Sequence, residues 1–83
     1  MSKTELTSWG LTEVRCLAGF RADERPTSFV LHDREIEVRT VLESWREPEY
    51  LYFTVETVHG RIYDLRHHEY EDWWQVREAA KGR

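Results

Sequence analysis

From Tyr50 to Leu65 apolar side chains recur at every second position, with Leu51, Phe53 and Val55 on one side and, after His59-Gly60, Tyr63 and Leu65 on one side again. A period of two is that of a strand with one face buried, and Tyr50–Thr57 is built largely from aromatic and β-branched residues that suit a pleated surface. Gly60 can take the positive φ that a tight turn requires. The segment therefore predicts a hairpin, with strands over Tyr50–Thr57 and Ile62–His67.

The same alternation extends in both directions. Val14, Cys16, Ala18 and Phe20 would share one face of a strand beginning at Leu11, and the charged run Arg21–Pro26 reads as a loop. Thr27–Trp45 reads as a second hairpin, with Phe29 and Leu31 facing Ile36 and Val38 across a turn at His32–Glu35. After Val38 the pattern breaks, because Val41, Leu42 and Trp45 cannot all lie on one side of a regular strand. A β-bulge near Arg39 and Thr40, a strand bent between two sheet faces, or a short helix would each account for it, and the β-prone Val and Thr favour the bent strand. Arg46–Glu49 makes a turn around Pro48. Trp73–Arg77 closes the series as a strand with Trp74 and Val76 inward, although Tyr70, Trp73 and Trp74 also have helical spacing. The expected fold is all-β: five or six antiparallel strands in a strongly bent sheet or small open barrel, similar in size to an SH3-like barrel, with a possible short C-terminal helix. Residues 1–10 read as a flexible lead-in with Trp9 as a docking point, 11–78 as one β domain and 79–83 as a frayed tail.

With 83 residues the chain has room for one core. Eleven of them are aromatic, so the buried area comes in large pieces. The formal net charge of -4 argues against a general nucleic-acid binder. Only Lys3 and Lys81 among the 12 cationic residues are lysines, so the folded part is basic only through arginine. A lone cysteine, Cys16, has no partner within the chain for a disulfide, no run approaches the roughly 18 apolar residues that span a bilayer, and Met1–Leu6 lacks an apolar signal core. These features point to the cytoplasm and away from membranes.

His32, His59, His67, His68 and Cys16 lack the paired spacing of zinc ligands, and no metal or other cofactor is expected. Cys16 falls on an apolar strand face, and Ser8, Ser28 and Ser44 sit in no nucleophile motif, so no catalytic residue is expected either. The aromatic residues divide in two. Trp45, Phe53, Tyr63 and Trp74 are expected to form the core. Tyr50, Tyr52 and Trp73 would face outward near Arg39, Arg46, Arg61, Arg66 or Arg77, a combination enriched in binding hot spots and also suited to stacking on single-stranded nucleic acid. Cross-strand pairing that merely stabilises an exposed sheet would use the same residues.

The order Arg25-Pro26, Phe29, Val38 with Val41-Leu42 and Trp45, Tyr52-Phe53-Thr54-Val55, Gly60-Arg61-Ile62-Tyr63, Leu65 and Trp74-Gln75-Val76 resembles a group of short uncharacterised bacterial proteins of the domain-of-unknown-function kind, over roughly residues 14 to 77. Every shared element is structural. Such domains sometimes occur beside translesion DNA polymerase genes, and the resemblance carries no catalytic or binding residue. The functional expectation is a non-enzymatic binding or accessory module that engages a protein partner or its own copy through the outward aromatic and arginine face. The alternative is a nucleic-acid accessory domain associated with DNA repair or replication.

Overall fold

The structure, a computed structural model, describes residues 9–17 and 25–79. They form seven antiparallel strands: β1 Gly10–Thr12, β2 Val14–Cys16, β3 Pro26–Leu31, β4 Arg34–Glu47, β5 Tyr50–Thr57, β6 Ile62–His68 and β7 Trp73–Glu78. Their order is β1-β7-β6-β5-β4-β3-β2. Because only Glu13 separates β1 from β2, the two ends of that order lie side by side and the sheet curls into a nearly closed barrel.

Closure is made at one corner. Gly10, Leu11 and Thr12 pair with Val76, Gln75 and Trp74 of β7, whereas Val14 and Arg15 pair with Phe29 and Ser28 of β3. The Thr12 hydroxyl donates to the Val30 carbonyl at 2.6 Å and accepts from the Val30 amide at 3.1 Å, and the Glu13 carbonyl accepts from that amide as well. One side chain thus replaces the ladder bonds lost where the chain changes partner. The strand expected to run unbroken from Leu11 is consequently two short ones, starting at Gly10, and the total is seven rather than five or six. Ala18 and Phe20, assigned to its inner face, lie outside the described residues, as do residues 1–8 and 80–83.

The hairpin turns follow local chemistry. His32 and Asp33 both have positive φ, 52° and 62°, so β3 and β4 are joined by two left-handed residues, with Leu31 already paired to Arg34. This turn is tighter than the His32–Glu35 expected. Paired positive φ matches the right-handed strand twist. At the other hairpin the Gly60 amide donates to the Thr57 carbonyl, Gly60 has φ 84° and Thr57 donates to Arg61, giving a three-residue connection. Gly60 is the one described glycine whose backbone needs its freedom.

β4 carries two register shifts, between Val38 and Thr40 and between Val41 and Glu43. They bend it from β3 onto β5, as the broken alternation predicts. The second shift also changes which face the following residues take, and it corrects the expected core: Trp45 is paired with Tyr52 on the outside of the barrel and is 39% exposed. β7 is a strand to Glu78, and no helix occurs among the described residues.

Inside, Phe53, Leu65 and Val76 lie in one cross-strand row, with Val55 and Tyr63 in the next. With Phe29 they are the buried core, and Trp74, Leu51, Val41, Ile36 and Leu31 pack against it partly buried. Phe29 meets Tyr63 edge-on at 5.2 Å, and Trp74 stacks on Phe53 at 5.9 Å. Leu65 is fully enclosed, so Leu65→Ala is expected to cost about 2–5 kcal/mol in denaturant unfolding, through lost transfer energy and the cavity left behind. Thr12→Val keeps the shape of the corner but removes both of its bonds to Val30, and is expected to cost about 1–2 kcal/mol in the same measurement.

Candidate functional site

Pairing across β4, β5, β6 and β7 aligns the outward residues in rows. One row runs Glu47, Tyr50, His68, Trp73; the next Trp45, Tyr52, Arg66, Gln75; the third Glu43, Thr54, Asp64, Arg77. Strand alternation therefore brings Tyr50, Tyr52, Trp73 and Arg66 together, as the sequence predicts, and adds Trp45.

The rings make a continuous surface. Trp45 lies flat on Tyr52, centroids 4.9 Å apart and planes 3° from parallel. Tyr50 touches Tyr52 at 5.8 Å and meets Trp73 edge-on at 5.9 Å. His68 stacks on Trp73 at 4.8 Å and receives the edge of Tyr50 at 5.0 Å. Trp9 joins from the start of the described chain: its ring covers the Arg66 guanidinium at 4.3 Å and that of Arg77 at 4.4 Å, and approaches Tyr52 at 6.2 Å. Arg66 is held from the other side by Tyr50 at 4.3 Å, while its Nε donates to Gln75 at 2.7 Å. It acts as a flat spacer between two rings. Below it Asp64 accepts from Thr54 at 2.8 Å and from Arg77 at 3.2 Å, which fixes the base of the face. Tyr50, Tyr52 and Trp73 are half-buried by one another, so they are less outward than expected; Trp45 and Tyr70 are the exposed rings, Tyr70 at 76%.

The other predicted arginines do not join this face. Arg46 opposes Leu51 and makes both its contacts, at 2.6 Å, with the two carboxylate oxygens of Glu69. Arg61, beyond the β5–β6 turn, reaches Glu78 at 3.4 Å. Arg39 sits exposed at the first bulge of β4. The four arginines thus form no single stripe.

At the end of the barrel where the β4–β5 and β6–β7 turns meet, the balance is acidic. The Glu69 amide donates to the Glu49 carbonyl there, and residues 46–50 and 67–73 together hold five carboxylates against one arginine. That excess of four equals the net charge of the whole chain. Several of these carboxylates cap ring donors: Glu71 accepts from the Trp73 indole at 2.9 Å and Glu47 from that of Trp45 at 3.4 Å. His68 Nδ1 accepts from the Glu71 amide at 3.1 Å, which places any single ring proton on Nε2, 3.4 Å from Glu49. His67, on the inner side, stacks on Trp74 at 4.6 Å and contacts Asp72 at 2.8 Å.

Sequence reasoning missed Trp45, His68 and Tyr70 as members of this surface, and it raised docking of Trp9 without its place. The face of Trp45 depends on counting bulges, and the docking of Trp9 on β6 and β7 joins residues far apart in the chain. Among the described residues no group of three or more His, Cys, Asp or Glu side chains is placed to hold a metal ion. Comparison with protein-family models, curated proteins and solved structures finds no match.

Removing the spacer tests how the face is held. Arg66→Ala is expected to cost about 1–2 kcal/mol and to change the near-ultraviolet circular dichroism as Trp9 and Tyr50 lose their common partner. Arg66→Lys restores the charge but not the planar stack, so it should recover less than half of that loss.

Proposed function

We propose that this domain is a non-enzymatic binding module that engages a protein partner through the outer face of β4–β7, centred on Tyr50, Tyr52 and Trp73. The observation that carries the reading is the division of the rings. Phe29, Phe53, Tyr63 and Trp74 fill and flank the core, while Trp9, Trp45, Tyr50, Tyr52 and Trp73 gather on the opposite side of the same strands, where the core does not use them. Tyr, Trp and Arg supply large contact area at small entropic cost, and they dominate the energetic centres of protein interfaces. Arg66 and Asp64 hold the rings in place before any partner arrives, which lowers the ordering cost of association.

A nucleic-acid accessory role connected with DNA repair or replication would use the same rings as stacking platforms. It would also need free cations along a backbone track. Arg46 and Arg61 are each joined to a carboxylate, Arg66 lies between rings, and the acidic end adjoins the face. The protein partner is therefore preferred.

The test is affinity capture with the intact chain, with and without nuclease, repeated with the Tyr52→Ala/Trp73→Ala double variant after its fold is confirmed by circular dichroism. A partner bound through these rings should survive nuclease and weaken about 30-fold or more in the variant, since a central hot-spot ring contributes roughly 2 kcal/mol. Capture unaffected by the double substitution would refute the reading, and loss on nuclease treatment would transfer it to nucleic acid.

A further inference from the structure

β4 has two edges, and the described residues cover only part of one. Toward β3 it pairs through Arg34–Glu37 alone, whereas toward β5 it pairs from Val38 to Glu47. From Val38 onward no described residue pairs with the second edge. Past the two bulges, Glu43–Glu47 runs in unbroken register with Thr54–Tyr50, a regular strand whose far side carries backbone donors and acceptors that no described residue pairs with. Beside it lies the exposed Trp45 ring, flat on Tyr52.

The charges along this edge select among occupants. Glu43, Glu47 and Glu49 are exposed, and Arg46, the cation within this segment, is already engaged by both oxygens of Glu69. A second copy aligned antiparallel would crowd the Glu43 and Glu47 carboxylates of both chains along one seam, and like charges facing each other across strands are destabilising. A strand of opposite sign meets no such repulsion. Its backbone would complete the ladder, its cationic side chains would meet Glu43 and Glu47, and one of them would reach the face of Trp45.

We propose that the Glu43–Glu47 edge of β4 accepts an extended, lysine- or arginine-bearing peptide segment of a partner protein as an added strand. This rests on the binding-module reading and supplies its partner's chemistry: the added strand lies next to the aromatic face, so one partner can contact both.

The experiment uses the intact protein and a short labelled peptide of alternating lysine and valine. Its comparators are the glutamate–valine counterpart and two versions N-methylated on one or the other set of alternate amides. Fluorescence anisotropy is read together with hydrogen exchange of the Ser44 and Arg46 amides, which strand alternation turns away from β5. The lysine peptide should bind and slow exchange at those amides. The glutamate peptide and one of the two methylated forms should bind about tenfold more weakly or worse, as should the lysine peptide to Glu43→Lys/Glu47→Lys, whose substituted positions are exposed. Equal binding of both methylated forms would reduce the contact to surface charge and overturn the inference. So would slow exchange of these amides in the free protein, whether from a second copy, visible in the solution mass, or from this chain itself. Failure of the lysine peptide while capture still depends on Tyr52 and Trp73 would remove the edge and leave the binding module standing; loss of that dependence would remove the module itself.

Discussion

Everything in this molecule depends on a sheet closing upon itself at one corner. An open sheet of this size leaves half of its inner face wet and two strand edges bare. Here the first described strand segment is shared between both ends of the sheet, with β1 against β7 and β2 against β3, and Thr12 bonding Val30 where the change is made. Without that exchange Phe29 would lose its place opposite Tyr63, and the core would be a flat layer open to water. The energetic weight is on Leu65, Val55 and Phe29, the largest fully enclosed apolar side chains, since burying each contributes roughly 1.5–3 kcal/mol.

Closure also dictates what the outside can be. Each inward residue on β5, β6 and β7 has outward neighbours, and in this chain many of these are aromatic or planar. Rings placed in register across three strands shield one another, which explains why Tyr50, Tyr52 and Trp73 are only half-exposed. The outer surface is accordingly a second packed layer, thinner than the core and tied down by Arg66, Gln75, Thr54, Asp64 and Arg77. Edge-on and stacked aromatic pairs contribute about 0.5–1.5 kcal/mol each beyond their area. This layer stabilises the barrel whether or not a partner sits on it.

How far the sequence predicts this arrangement depends on whether the controlling interaction is local. The β5–β6 hairpin is legible because alternation and the glycine turn are properties of adjacent residues, and Phe53, Val55, Leu65 and Val76 fall in the core as their spacing requires. The first β4 bulge is legible because Val41 and Leu42 break the period. Trp45 is not: a second bulge reverses the face of every residue after it, and no pattern in the sequence reveals how many bulges a strand contains. The partner exchange at Glu13 is likewise invisible, because it is decided by two strands at opposite ends of the sheet. Of the site, Tyr50, Tyr52, Trp73 and Arg66 are legible from strand parity. The separation of Arg39, Arg46 and Arg61 from them is not, because it is set by which carboxylates the turns bring near.

The crowding of carboxylates where two hairpin tips meet gives the domain an electrical polarity. Among the described residues carboxylates outnumber arginines by five, and four of that excess lie at this tip. A body charged in this way feels a torque in an external field, and within a Debye length of a cationic object it rotates before it touches. Collisions would then begin tip-first, with the aromatic flank of that pole presented early, so the probability of a productive first encounter is governed by orientation as well as by concentration.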